Sequence, residues 1–357
     1  MLKKIVVSTC IITGGMVAAL PASAQLAGKN VIAIHGFQPG NLFSGTQTEQ
    51  QITQNGESYW SDFWLQHADA RIDWDSNERI EGKTAERIYD KITELSRAGF
   101  CNDGCVIVTH STGDLVARYM LENQTHWLDA QGLEPLKILT VLDFAGAGGG
   151  TELADIAIQA ANNNAWYMWP LKEASEAFLG FELNANNMGV LHNLQPSVAR
   201  TTATSVSGVP RLRLVGAGSE YGGVTKPFIT GSDDSVVPLH SACGASDNGS
   251  YDSCLSNLAM DGKVESQSAP SNFFPNHFPL VMAEGAGHGA TISNATGNEM
   301  TASTSQYSSN GLDVNLMLNS REEKAWWQLW GSGDKYTTIK DSKQYSMSAV
   351  VYNSISQ

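Results

Sequence analysis

The sequence predicts an α/β fold with a mostly parallel central sheet and helices on both faces. Three observations carry that expectation. Mostly apolar runs of three to five residues, rich in Val, Ile and Leu, recur along the chain (Val31 to Ile34, Val106 to Val108, Ile138 to Leu142, Leu212 to Val215), short enough for buried strands. Between them lie stretches with helical spacing, such as Ala85, Ile88, Ile92 and Leu95 on one stripe of residues 83–98 with charges opposite. One strand also breaks abruptly at Ser111 and resumes as a helix, with Leu115, Val116, Tyr119 and Met120 three and four residues apart. Strands alternating with helices require crossovers, and crossovers make parallel sheets.

Residues 1–24 read as an export segment. Lys3 and Lys4 precede an apolar stretch to Leu20, and Ala22-Ser-Ala24 offers a cleavage site before Gln25. A secreted or periplasmic chain of residues 25–357 is expected, with no transmembrane segment, because no later run approaches the ~20 apolar residues a span needs. The formal charge of −14 argues against nucleic acid as a partner and against attraction to an anionic membrane surface.

Four cysteines follow the export segment: Cys101, Cys105, Cys243 and Cys254. An even count in an exported chain suggests disulfides, and their placement suggests Cys101–Cys105 and Cys243–Cys254, each closing a short loop, the first just before Ser111 and the second just after Asp234. Sequence alone permits three connectivities. Zinc competes, although C-x3-C and C-x10-C fit the usual knuckles poorly, and no metal or other cofactor is assigned.

The first strand, Val31-Ile-Ala-Ile34, ends in His35-Gly-Phe37, and residues 38–57 read as a polar loop at the mouth of a site. Tyr59, Trp60, Phe63 and Trp64 follow at helical spacing, a pattern that favours core over substrate contact. Residues 70–74 read as a strand. The turn at Thr109-His-Ser111-Thr-Gly113 holds a serine at a strand-to-helix corner, its hydroxyl exposed above the strand ends and helix N–H groups pointing towards what it attacks. Late in the chain, Gly231-Ser-Asp-Asp234-Ser-Val-Val-Pro238 follows another strand, and Ala283-Glu-Gly-Ala-Gly-His288-Gly289 places a histidine in a glycine-rich loop.

These segments, in this order, resemble the α/β-hydrolase superfamily and, within it, the secreted bacterial triacylglycerol lipases and esterases. The resemblance implies a nucleophile at Ser111, an acid at Asp234 before V-V-P, and a base at His288. It also implies oxyanion-hole N–H groups from Phe37 and Thr112. Thr109 departs from the first glycine of G-x-S-x-G. Gly150, Thr151, Ala154 and Asp155 resemble the second half of the family's G-T-P-x-x-G-S/T-x-x-A-D segment, and residues 191–197 its L-x-x-L-x-P-S segment. Between them, residues 156–199 read either as a cap or lid carrying Trp166 and Trp169, or as ordinary helices packed on the sheet.

Asp233 and His277 are rivals for the acid and base. Adjacent residues leaving a strand point opposite ways, so the register on V-V-P leaves Asp233 as a solvated neighbour. Prolines and aromatics around His277 suggest a rigid packed turn. Residues 290–357 form an extension within the same domain, with Trp326, Trp327 and Trp330 on a helical pattern and strand-like alternation over 340–351. The expected chemistry is hydrolysis of carboxylic esters, most naturally of lipid. A polyester depolymerase, a peptidase or amidase, and a noncatalytic binding protein on the same fold remain the alternatives, since such a triad does not choose the scissile bond.

Overall fold

A computed structural model describes residues 26–42, 45, 47–162, 188–204, 208–249, 251–255, 269–323 and 334–356. The export segment, the Trp166/Trp169 patch and the Trp326, Trp327 and Trp330 pattern lie outside the described residues.

Strands β1 (Asn30–Ile34), β2 (Ala70–Ile72), β3 (Cys105–His110), β4 (Ile138–Phe144), β5 (Arg211–Gly216) and β6 (His277–Ala283) pair in parallel in the order β2-β1-β3-β4-β5-β6. The apolar runs are continuous because both faces of this sheet are covered. Ile32, Ile34, Ile107 and Val141 face one core with helices α3 (Ala85–Arg97) and α4 (Gly113–Asp129). Val31, Ala33, Val106, Val108 and Leu142 face the other, with Trp60 and Trp64.

Beyond β6 the sheet continues with antiparallel strands β7 (Thr301–Ala302), β11 (Asp334–Ile339) and β10 (Leu318–Glu323). Strands β8 (Gln306–Ser309), β9 (Leu312–Asn315) and β12 (Ile355–Ser356) form a second, three-stranded sheet. The expected strand within 340–351 is mostly not formed. Met347–Ser354 is a helix whose N-cap Ser346 accepts a hydrogen bond from the Ala349 N–H, and the alternation of Val350, Val351 and Tyr352 yields to that cap and to burial of Met347 and Val351.

The expected polar loop over 38–57 is also corrected. Its second half is helix α1 (Glu49–Tyr59), started by a reciprocal capping box between Thr48 and Gln51 and burying only Ile52 and Gly56. Helix α2 (Asp62–His67) follows, with Trp64 fully buried and its Nε1–H donating to Ser348 Oγ at 2.9 Å. In the 156–199 region, helix α5 (Glu152–Asn162) and two short helices, Leu191–Leu194 and Pro196–Ala199, are described. Ala154, Ala157, Leu191, Leu194 and Ala199 belong to the core, so these flanks pack on the domain as ordinary helices do.

The core holds a polar cluster. Arg211 and Arg213 on β5 bind Asp143 of β4 and Asp114 in the first turn of α4, with both arginines and both aspartates 0–3% exposed at their side chains. Burial alone would raise the Asp114 carboxyl pKa, but the guanidiniums of Arg213, Arg211 and Arg118 hold it far below the usual range. The cluster ties α4 to β4 and β5. Losing one partner would strand a buried charge, a cost of roughly 3–5 kcal/mol.

Candidate active site

Ser111 follows the last residue of β3 and takes φ +56, a left-handed conformation that strains a non-glycine residue and turns the side chain out of the sheet. The corner is bonded on both sides: Ser111 N–H donates to Phe144 O at 3.1 Å, and Ser111 O accepts from Asp114 N–H at 3.2 Å and Ala147 N–H at 2.9 Å. Helix α4 then starts hard against the end of β1. A Cβ at Gly113 would stand 2.3 Å from Ile34 O and 2.8 Å from His35 O, so only glycine fits. Thr109, in place of the motif's first glycine, is fully buried and spends its hydroxyl on Asp143 in the polar cluster.

Opposite Ser111, His288 Nδ1 lies 2.8 Å from Asp234 Oδ2. The Asp234 carboxylate is fully buried, and its Oδ1 accepts N–H groups of Val236 at 3.0 Å and Val237 at 2.7 Å. His288 N–H donates in turn to the Asp234 carbonyl at 2.9 Å, so backbone and side chain both join the two loops. The glycines around His288 act by close approach: a Cβ at Gly287 would come within 2.2 Å of Glu220 Cγ.

Ser111 and His288 line one cleft of about 390 Å³, together with Phe37, Tyr59, Trp60 and Tyr221. Asp234 sits behind His288. Thr112 follows Ser111 at the N-cap of α4 and is fully buried. Of the segment before Phe37, His35 is locked as a neutral imidazole: Trp74 N–H donates to its Nε2 at 3.0 Å and its Nδ1–H donates to Gly36 O at 2.8 Å. Burial lowers its pKa to about 4.

The rivals stand elsewhere. His277 opens β6, at the opposite end of that strand from the His288 loop and roughly 20 Å away along the rise of a seven-residue strand. It closes the packed turn Phe274–His277, its N–H donating to Phe274 O at 3.2 Å, before opening the strand, and burial holds its imidazole well below the usual pKa, with Arg213 and Arg211 adding repulsion. Asp233 is not solvated: it is 8% exposed and its Oδ1 accepts the Ser235 N–H at 2.7 Å, while burial raises its pKa.

Cys101 and Cys105 lie at disulfide distance with Cα atoms 5.1 Å apart, as do Cys243 and Cys254 at 5.6 Å. The first pair does not border Ser111 as expected. Cys105 begins β3 and Ser111 follows its end, so that bridge pins the turn between α3 and β3. Among the described residues no group of three or more His, Cys, Asp or Glu side chains is arranged to hold a metal ion, and no helix is long and apolar enough to cross a membrane.

Two residues of the site escaped the sequence reading. Tyr59 fell among the aromatics assigned to the core, and His110 stood in the turn motif without a role. The Tyr59 hydroxyl bonds His110 Nδ1, and His110 Nε2 lies 3.1 Å from the His288 carbonyl oxygen. Nothing local in the sequence signals this, because the partners lie 51 and 178 residues apart.

No family model matches the chain, and no curated protein matches it. Among solved structures it is similar to the Bacillus licheniformis lipase BlEst2 in mature form, at 16% identity and a TM-score of 0.38 over 62% of this chain and 81% of that one. It is similar to the phospholipase PlaB from Legionella pneumophila at 15% identity and a TM-score of 0.36, over 60% of this chain and 45% of that one. It is also similar to the Staphylococcus hyicus lipase at 11% identity and a TM-score of 0.42, over 76% of this chain and 91% of that one.

Proposed function

We propose that this chain is a serine hydrolase of carboxylic esters, with lipid acyl esters as the favoured substrate class. One observation carries the reading: Ser111 at a strained strand-to-helix corner shares a cleft with His288, whose other ring nitrogen is engaged by the buried Asp234. With Nδ1–H donated to Asp234, the Nε2 lone pair of His288 is free to take a proton. A neutral serine hydroxyl is a weak nucleophile, so His288 removes its proton as Oγ attacks the acyl carbon. Asp234 holds the tautomer and stabilises the imidazolium, which then protonates the leaving alcohol. Water repeats the sequence on the acyl-enzyme and releases the acid. The N–H groups of Phe37 and Thr112 are the proposed donors to the tetrahedral oxyanion, and removing one such donor commonly costs on the order of 10²–10³ in rate.

The cleft suits an apolar acyl group, since Phe37, Trp60, Val236 and Ile292 line it beside the polar centre. Cysteines paired at disulfide distance fit an oxidising compartment, consistent with export after cleavage behind Ala24. In this reading residues 25–357 are one catalytic domain, with 290–357 as an extension.

A fluorophosphonate should label Ser111 alone in the mature protein, by peptide mass spectrometry, and Ser111→Ala should abolish turnover of p-nitrophenyl esters. Emulsified triglyceride, a polyester film and a peptide amide, assayed beside those esters, identify the scissile bond. Preferred cleavage of the amide or the polyester replaces the lipid reading with the corresponding alternative. A folded protein that neither labels nor turns over any of them is a binding protein.

A further inference from the structure

We infer that Tyr59 and His110 are positioning residues that couple the oxyanion segment to the base loop, so that their hydrogen bonds set the turnover of the site. The inference rests on the hydrolase reading and deepens it.

The directions of these bonds are fixed by chemistry. The His288 carbonyl can only accept, so His110 Nε2 must carry the proton and donate it at 3.1 Å. Its Nδ1 is then a bare acceptor, and the Tyr59 hydroxyl donates to it. Burial drives the His110 imidazole well below its usual pKa, with repulsion from nearby His288 adding to the effect, so this neutral tautomer persists through the neutral range. The Tyr59 hydroxyl packs against Gly36, next to Phe37, where a Cβ would stand 2.3 Å from it, while burial raises its own pKa. It therefore remains a donor. A path thus runs from Gly36, by packing, to Tyr59 and then by hydrogen bonds through His110 to His288 and on to Asp234.

Packing makes the path rigid. A Cβ at Gly36 would lie 2.6 Å from the Ser111 Cβ and 2.8 Å from His110 O, so the oxyanion segment presses directly on the serine corner. The His110 and His288 rings sit 4.6 Å apart between centroids. Within the same loop, Thr291 Oγ1–H and N–H also donate to the His288 carbonyl, at 2.9 and 3.4 Å, and stiffen it from inside. Tyr59 and His110 exchange no proton with substrate in this scheme. They fix where the oxyanion donors and the His288 ring stand relative to Ser111, a placement in which an error of 1 Å can cost about 100-fold in rate.

The test compares Tyr59→Phe, His110→Leu, His110→Gln and their double variants on one soluble ester, with folding followed by circular dichroism. Gln can donate from its amide nitrogen and accept at its amide oxygen, as neutral histidine does, whereas Leu can do neither. Tyr59→Phe and His110→Leu are expected to lower kcat roughly 10- to 100-fold with KM nearly unchanged. His110→Gln should recover most of the loss, and the Phe/Leu double variant should be little worse than the poorer single variant, because both cut one path. Wild-type kcat in Tyr59→Phe and His110→Leu, with Ser111→Ala dead, overturns the inference and leaves the hydrolase reading standing. A raised KM at unchanged kcat, or a Gln variant as poor as Leu, also overturns it. If His110→Leu does not fold, Tyr59→Phe decides by the same criteria. Full activity in Ser111→Ala defeats the hydrolase reading itself.

Discussion

At the Ser111 corner, backbone meets backbone: Gly113 abuts the carbonyls of Ile34 and His35, and the serine is wedged against Gly36. Around Asp234 and His288, hydrogen bonds do the positioning, with Asp234 taking two N–H groups and His288 bonded to Asp234 through both ring and backbone. Ser111 depends chiefly on small residues packed against its corner, and Asp234 and His288 chiefly on side-chain hydrogen bonds. Substitutions at the first should therefore act through volume and stability, and substitutions at the second through charge and turnover with little change in fold.

The widest gap is expected between the two histidines. His288→Ala should lower kcat by about 10⁴-fold or more, while His277→Ala, at the far end of β6, should leave turnover near wild type. Steady-state kinetics on one ester, with both variants shown folded, checks this, and the reverse result would reassign the base. Between the aspartates, Asp234→Asn should cost on the order of 10³–10⁴ in kcat while its melting temperature moves little, because the amide keeps the shape but disfavours the required His288 tautomer. Asp233→Asn should retain most activity, since its carboxylate caps the Ser235 N–H.

Gly113→Ala tests the steric side. The added methyl must displace the end of β1 or the start of α4, for roughly 1–3 kcal/mol of lost stability in a urea titration. A variant as stable as wild type would show that the corner has slack.

A smaller effect separates the two kinds of support by pH. His35 titrates at about 4, and His110 and His277 are held well below the ordinary value near 6.5, all three chiefly by burial. The folded state therefore binds fewer protons than the unfolded chain as pH falls below about 6.5, and stability is lost in that direction. Each group contributes about 1.4 kcal/mol per pH unit between its two pKa values. Asp73 and Asp75, whose carboxyls burial raises, oppose the trend only as the carboxylate range is approached. Melting curves from pH 7.5 to 5 should show the decline, and His277→Gln should flatten it without changing the kinetics.

Strands β1, β3 and β4 were legible because a strand buried on both faces is built mostly of apolar residues, and α3 because one face is apolar and the other charged. The serine corner, the Asp234 loop and the His288 loop were legible because each combines a strand end with a local turn signal. Helix α1 was not, since it buries only Ile52 and Gly56 and so lacks an apolar stripe, although Thr48 and Gln51 carried its capping signal. The burial of Arg211 and Arg213 was invisible for a different reason. Strand pairing brings Asp143 beside Arg213, and only the packed helix supplies Asp114. Tyr59 and His110 belong to the same class, because their roles depend on which distant backbone arrives beside them.

The bond from Trp64 to Ser348 joins residues 284 positions apart and closes one side of the core with the last helix of the chain. During synthesis, Trp64 emerges long before the residues that cover it. The N-terminal strands can pair early and Phe144 can cover part of Trp64, but the face bearing Trp60 and Trp64 is complete only once Met347 and Val351 pack on it. Such long loop closures slow folding and leave a sticky intermediate in the meantime. The helix at 347–354, far in sequence from Ser111, thus completes a face begun by Trp60 and Trp64, and a chain lacking it should aggregate more readily than the full one.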